Sequence, residues 1–254
     1  MTRTTIVVPC FDEAHRLPVA RFEAFAAEAP DVDFLLVNDG STDATLDLLR
    51  GLRDRDPEHF DVLDLQPNRG KAEAVRAGMN AAIGRGVAYA GYLDADLATP
   101  LAEIPNLVHV LDTDPRCEIV FGARVQLLGL HIERRKVRHY LGRVVATIAS
   151  ETLGLPVYDT QCGAKLFRIG EPTRILFRDP FLSHWVFDIE IIARRMQMER
   201  SAAGEALPRT ADVITELPLQ EWIDIPGSKV RPFDFLRAIW EIWRIHRRYL
   251  SRRS

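Results

Sequence analysis

Two aspartates close a short apolar run. In "AYAGYLDADLATP" (88–100), Asp94 and Asp96 stand at the end of what reads as a buried strand. A buried carboxylate is costly without a partner. Either the strand stops at Leu93 and the acids cap the next turn, or they hold a cation. Acids at i and i+2 can both face one ion where the backbone turns. Their hard oxygens suit Mg²⁺ or Mn²⁺, which also bind substrate phosphates. Asp39 ends another apolar run in "VNDGSTD" (37–43), ahead of a glycine turn. It reads either as a turn residue or as an acid that accepts hydrogen bonds from a base or ribose. Ser41 and Thr42 follow as candidate N-caps. In "PNRGKAEA" (67–74), Lys71 opens a helical pattern, where the macrodipole disfavours a cation. It is either a solvated lysine or a group that faces an anion.

The elements that must position these residues alternate. Apolar runs at 4–9, 32–39, 60–66, 89–94 and 117–124 predict strands. Helical patterns fall at 17–29, 41–55, 71–86 and 103–114. That order predicts an α/β fold with a doubly wound, mostly parallel sheet. Ligands of such sheets gather at the carboxyl ends of the strands. Pro9 to Glu13, Asn38 to Ser41, Asp94 to Asp96 and Gly122 to Arg124 should therefore converge. The second half is less regular. It predicts helices over 137–155, 184–197 and 233–250, and a polar loop leading into a short strand over 158–168.

Composition bounds the rest. The 254 residues are 47% hydrophobic and 27% charged, so a sizeable core is available and disorder is not expected. A net charge of -3 gives no reason to expect nucleic acid as a partner. Cys10, Cys117 and Cys162 are few, odd in number and scattered. That suits a reducing cytoplasm rather than a disulfide framework or a cysteine zinc site. No apolar run is long enough for a signal peptide or a membrane span. Basic residues cluster at 131–143 and 229–254 on an otherwise acidic chain, which points to local anionic partners such as phosphates or a membrane surface. In "HIERRKVR", Arg134 and Arg135 can fork onto phosphate oxygens, or form a solvated basic face. The last helix sets Leu236, Ile239, Trp240, Trp243 and Leu250 on one side, with Arg237, Arg244, Arg247 and Arg248 available to the other. It reads as an interfacial anchor on anionic lipid, a cover for the sheet, or a subunit contact. No repeat or linker is evident. The chain reads as one domain over 1–232, with 233–254 as an amphipathic basic helix.

Together, "VVPCFDEAHRL", "LLVNDGSTDAT", "NRGKAEAVRAGM" and "YLDADLATP" resemble the ordered motifs of family 2 glycosyltransferases with the GT-A fold. "DTQCGAKLFR", "WVFDIEIIAR" and "EWIDIPGSKVRPF" narrow the resemblance to the polyprenyl-phosphate branch, particularly dolichyl-phosphate β-glucosyltransferases. The resemblance covers residues 4–235. It implies that Pro9, Phe11 and Glu13 border the nucleotide and that Asp39 reads its base. Lys71 then lies by the nucleotide or its phosphates, and Asp94 and Asp96 are the metal and ribose acids. Arg124 stands near the phosphates. Gln161, Gly163 and Lys165 shape the acceptor side, and Asp188 and Glu190 lie on the floor near the sugar. Ser228 and Lys229 form a loop that closes on the donor diphosphate. Asp188 and Glu190 can also be read as a helix face paired with Arg194 and Arg195. Mannosyl synthases typically carry "DADLQHP"; Ala98 and Thr99 here follow the glucosyl pattern. The eukaryotic glucosyl enzymes carry an N-terminal membrane anchor and many bacterial relatives C-terminal membrane helices; neither is expected here.

The implied reaction is displacement at the anomeric carbon of a nucleotide sugar, UDP-glucose or GDP-mannose, by a polyprenyl phosphate. Mg²⁺ or Mn²⁺ would assist, at the cytoplasmic membrane face. A lipid monophosphate has a second pKa near ~6 and needs no strong base, so Asp188 positions the reactants. A sugar-hydroxyl acceptor would instead require Asp188 as base. A sugar-1-phosphate nucleotidyltransferase would show glycines after the first strand, and "PCFDEAHRL" has none.

Overall fold

The computed structural model describes residues 3–133, 136–201, 207–225 and 232–251. The five apolar runs fold as β1 (Thr4–Cys10), β2 (Val32–Asp39), β3 (Phe60–Leu65), β4 (Tyr89–Tyr92) and β5 (Ile119–Ala123). Between them run α1 (Val19–Glu28), α2 (Thr45–Arg55), α3 (Lys71–Gly84) and α4 (Ile104–Thr113). β1 pairs in parallel with β2 and β4, and β2 with β3. Neighbouring positions on β1 face opposite sides, as strand period requires. Ile6 and Val8 enter a core with Phe22, Phe34, Phe60 and Leu107. Val7 enters a second core with Met79, Tyr92, Phe167 and Phe187. α3 lies tight on the sheet because residue 78 is glycine; a Cβ there would come within 2.3 Å of Val7 Cγ1.

The second half completes the sheet in a way the alternating order does not predict. After β6 (His131–Glu133) and α5 (Lys136–Leu153) come β7 (Lys165–Arg168), α6 (Glu171–Arg178), α7 (Phe187–Ser201), α8 (Thr210–Val213), β8 (Ile214–Pro218), β9 (Glu221–Ile223) and α9 (Pro232–Ile245). Among the described residues the main sheet has seven strands in the order β3-β2-β1-β4-β7-β5-β8. β7 slots between β4 and β5 and runs antiparallel to both. β5 keeps the direction of β4, and β8 follows β5 in parallel. The start of β7 therefore lies at the same edge as the carboxyl ends of β4 and β5. β6 and β9 form a separate parallel pair.

Some local expectations change. Helix α2 begins at Thr45, not Ser41. Ser41 Oγ instead accepts the Asp12 N–H at 3.1 Å, and the Asp43 carboxylate accepts the N–H of Thr45 at 2.9 Å. The turn before α2 thus ties β1's exit to β2's exit rather than capping a helix at Ser41 or Thr42. α6 was not legible as a separate helix, although Thr173, Leu176 and Phe177 give it a buried face. The last helix seats Ala238, Ile242 and Ile245 in the second core. It ends in a π-helical turn (His246–Leu250), which buries Leu250 rather than leaving it on the outer face. Among the described residues, no helix is long and apolar enough to cross a membrane.

Candidate active site

The carboxyl ends of β1, β2, β4 and β5 open on one cavity of about 550 Å³. β1 delivers Pro9, Phe11 and Glu13, and β2 delivers Asp39. Lys71 comes from the start of α3, Asp94 and Asp96 from beyond β4, and Arg124 from beyond β5. The segment before β7 adds Gln161 and Gly163, and the first turn of α7 adds Asp188. Strand ends far apart in sequence meet because parallel pairing aligns their termini.

Of the two readings of the opening acids, the cap on the turn is met at Asp96. Asp96 Oδ1 accepts the Ala98 N–H at 3.1 Å, so it caps the turn; Oδ2 accepts Arg16 Nη2 at 3.1 Å. Burial raises the Asp96 pKa and the neighbouring Asp94 charge adds to that; the Ala98 N–H, Arg16 and Lys71 only partly offset it. Asp94 Oδ1 accepts Lys71 Nζ at 2.5 Å. Partial loss of water at the cavity wall opposes the charge of the half-exposed Lys71, but Asp94, with Asp188 and Asp96 behind it, outweighs that and raises its pKa. Lys71 thus faces anions of the protein itself. Gly163 makes room for this arrangement: a Cβ there would lie 2.1 Å from Asp94 Oδ2 and 2.4 Å from its Cγ.

The donor set fits Mg²⁺ or Mn²⁺ as a partial site. Two hard carboxylates share one wall, and their mutual charge is what a divalent cation would relieve. Among the described residues, no group of three or more His, Cys, Asp or Glu could hold a metal. Remaining ligands would therefore have to come from a substrate diphosphate and water, as is usual for Mg²⁺.

Asp188 forms the floor. Its Oδ1 accepts the Tyr92 O–H at 2.5 Å and the Lys165 Nζ at 2.7 Å. Burial pushes the Tyr92 phenol well above its usual pKa, and Asp188 and Asp94 push it further, so Tyr92 stays a donor at neutral pH. Lys165 is 1% exposed and also donates to Cys162 O at 2.5 Å. The expectation that it shapes the acceptor side is corrected: β7 pairs Lys165 with Tyr92, which places it beneath the floor. Glu190 is corrected too. Two residues from Asp188 on a helix, it does not share that face and is 0% exposed. Its Oε2 accepts the Leu182 and Ser183 N–H groups, and its Oε1 accepts Arg194 at 2.8 Å and the Tyr249 O–H at 2.9 Å. The Arg194 pairing is as one sequence reading has it, whereas Arg195 pairs with Glu118 at 2.7 Å.

Arg124 forks onto Asp159 through Nε at 2.6 Å and Nη2 at 2.8 Å, and stacks over Trp222 at 5.2 Å. The Tyr158 and Asp159 N–H groups bond Glu216. This chain fixes a cation on the cavity wall. Asp39 is 3% exposed and accepts the Arg69 and Gly70 N–H groups at 2.8 Å each, so it shapes the turn that presents Lys71. Sequence reasoning missed Arg16, Tyr92, Asp159, Trp222, His184 and Trp185. Tyr92 carried a signal: a phenol inside a buried strand needs a partner for its O–H. Trp222 lies on the three-residue strand β9 and the others in loops, where local pattern carries little signal. Arg134, Arg135, Ser228 and Lys229 lie outside the described residues.

The sheet and its cavity define a class: an α/β protein whose strand ends bring a pair of neighbouring acids, a lysine and an arginine into one cavity. Residues 5–169 match the model of glycosyl transferase family 2, and the chain belongs to that family. It is 33% identical to a dolichyl-phosphate beta-glucosyltransferase of Trichomonas vaginalis, over 90% of this chain and 66% of that one. A dolichyl-phosphate beta-glucosyltransferase of Drosophila melanogaster is 30% identical, over 97% of this chain and 75% of its own. Among solved structures, the glucosyl-3-phosphoglycerate synthase of Mycobacterium tuberculosis in complex with Mn²⁺, uridine-diphosphate-glucose and phosphoglyceric acid superposes with a TM-score of 0.65 at 18% identity, covering 96% of this chain and 80% of that one. At that identity the likeness speaks for the fold, which is of the GT-A type.

Proposed function

We propose that this protein moves a hexose, glucose from UDP-glucose, onto a polyprenyl or dolichyl phosphate with inversion at the anomeric carbon, at the cytoplasmic face of a membrane. One observation carries the reading: in a family 2 chain, Asp94, Asp96, Lys71 and Arg124 face Asp188 across a single cavity. The names of the two relatives supply the acceptor class. In the reaction the bond from the anomeric carbon to the diphosphate oxygen breaks, and its electron pair leaves on the diphosphate. A phosphate oxygen of the lipid forms the new bond.

Asp94 and Asp96 would hold Mg²⁺ or Mn²⁺, which when bound neutralises charge on the leaving diphosphate. Pro9, Phe11 and Glu13 border the nucleotide, and Asp39 holds the turn beside it. Lys71 stands between Asp94 and the phosphates, able to give its proton-bearing nitrogen to either. Arg124, pinned by Asp159, offers a fixed positive charge. Asp188 orients the sugar and acceptor. Its Oδ1 is occupied by Tyr92 and Lys165, which lock the carboxylate's rotation. Gln161 lines the acceptor side with a side-chain amide nitrogen that is buried and without a hydrogen-bond partner among the described residues. Arg134 and Arg135 are assigned to the acceptor phosphate, and Ser228 and Lys229 to the donor diphosphate.

The test is product mass analysis. The protein is mixed with UDP-glucose, GDP-mannose or UDP-N-acetylglucosamine and polyprenyl phosphate in detergent, with and without Mg²⁺ or Mn²⁺. A hexose gain on the lipid, dependent on metal and on UDP-glucose, is expected. Gain from GDP-mannose alone corrects the donor. Donor hydrolysis with no lipid product discards the lipid and makes Asp188 the base for a hydroxyl acceptor.

A further inference from the structure

Helix α9 turns two different faces to its surroundings. Ala238, Glu241, Ile242 and Ile245 are at most 2% exposed and seat the helix on the core. Leu236, Ile239, Trp240 and Trp243 recur at the same i, i+3, i+4, i+7 spacing on the other side, about half a turn away at ~100° per residue. They stand 42–65% exposed. Val144 of α5, which packs beside α9, is exposed as well. Soluble monomers rarely leave such a contiguous patch bare. The margin of this patch is arginine: Arg244 lies over the Trp240 ring at 4.7 Å and Arg247 over Trp243 at 4.9 Å.

The same helix is tied to the cavity. Glu241 accepts the Ser183 O–H at 2.6 Å and the Trp185 N–H at 3.3 Å, and pairs with Arg237 at 3.0 Å. Residues 183–185 put His184 and Trp185 into the cavity wall. Whatever seats the outer face of α9 therefore also sets the direction in which the cavity opens.

We propose that the outer face of α9 is a docking surface for an anionic lipid bilayer, with its tryptophans at the water–lipid boundary and the cavity held beside the lipid through Glu241. Indole rings keep an apolar body in the acyl region and a polar edge in the headgroups. The arginines meet lipid phosphates. The choice of a bilayer also rests on the lipid-phosphate reading of the acceptor. A second copy fits less well, because an isologous contact through this stripe would bring Arg244 and Arg247 towards their own copies.

The test is sedimentation of the full chain with phosphatidylcholine vesicles, with and without roughly one-third phosphatidylglycerol. Wild type should sediment with the anionic vesicles and detach as salt rises. Trp240→Ser with Trp243→Ser should lower vesicle affinity about tenfold or more. Arg244→Gln with Arg247→Gln should do so about tenfold, on the anionic vesicles only. Metal-dependent donor hydrolysis without lipid should stay at the wild-type rate in both variants, which shows that they fold. Wild type left in the supernatant overturns the proposal, as does a tryptophan variant that binds vesicles normally. A tryptophan variant that instead turns a dimer into a monomer by light scattering assigns the face to self-association. Transfer to polyprenyl phosphate in detergent is scored separately. Transfer without vesicle binding removes the docking surface alone, and vesicle binding without transfer removes the acceptor reading alone.

Discussion

Gly163→Ala is a one-carbon test of the site. The added Cβ would sit 2.1 Å from Asp94 Oδ2, where ordinary contact begins at 3.4 Å, so the oxygen must retreat by about 1.3 Å. Gly163 does not occupy a left-handed conformation, so alanine brings no backbone strain with it. The carboxylate can swing away, but only by lengthening its 2.5 Å bond to Lys71 and leaving its place beside Asp96. Misplacing a reacting group by about 1 Å lowers turnover on the order of 10²-fold. Stability should change little: losing part of one half-exposed ion pair is worth at most about 1 kcal/mol, or about 2–4 °C in Tm at this size. The assay is metal-dependent release of nucleoside diphosphate from the donor, with Mn²⁺ titrated, alongside thermal unfolding. Gly84→Ala is the control, since a Cβ there meets nothing within 4 Å. Turnover within threefold of wild type at an unchanged Mn²⁺ midpoint would refute the claim that Gly163 positions Asp94 for catalysis.

Other consequences concern charge and donors. The raised pKa of Asp96 means that its protonated form favours the fold; that stability is present below the unfolded pKa near 3.8 and is lost as pH rises through the higher folded value. Asp96→Asn should therefore raise the metal-free Tm at pH 7 while abolishing the Tm gain from Mn²⁺, and that gain should shrink in wild type as pH falls towards the carboxylate range. Tyr92→Phe removes the 2.5 Å donor to Asp188 while keeping Lys165. Steady-state kinetics should show kcat lower by about tenfold or more, from ~1.5–3 kcal/mol for a hydrogen bond to a charged group, with donor KM little changed. Arg124→Lys keeps the charge but loses the fork onto Asp159. Calorimetry should show a Tm lower by about 2–8 °C, for ~1–2 kcal/mol at this size.

Local pattern sufficed for what local forces decide. Each apolar run of the first half buries its own stripe, so β1 to β5 and α1 to α4 fold close to where the periodicity puts them. Parallel alternation places the strand ends together, which is why Pro9, Glu13, Asp39, Asp94, Asp96 and Arg124 could be assigned to one cavity before any coordinate was known. The position of β7 was a different kind of fact. A four-residue strand carries too little pattern to choose its neighbours. Its insertion between β4 and β5 depends on pairings such as Tyr92 with Lys165, remote along the chain. That insertion alone turned Lys165 from an expected acceptor residue into a buried support for Asp188, and brought Gly163 against Asp94.

Glu190 divides the two levels most clearly. The family resemblance implied a site acid there, while its spacing on the helix suggested an ion pair with the arginines that follow. Which way a helix turns its faces is settled by what packs on them. α9 and its following turn bring Tyr249 onto Glu190 and Glu241 onto Ser183, and the carboxylate becomes part of the wall behind the cavity. The sequence by itself determined the family, the strand-end acids and the amphipathic last helix, because these follow from residue type and short-range order. Which charges face the ligand and which face each other was decided only in the tertiary structure, because burial makes every charge find its partner through space rather than along the chain.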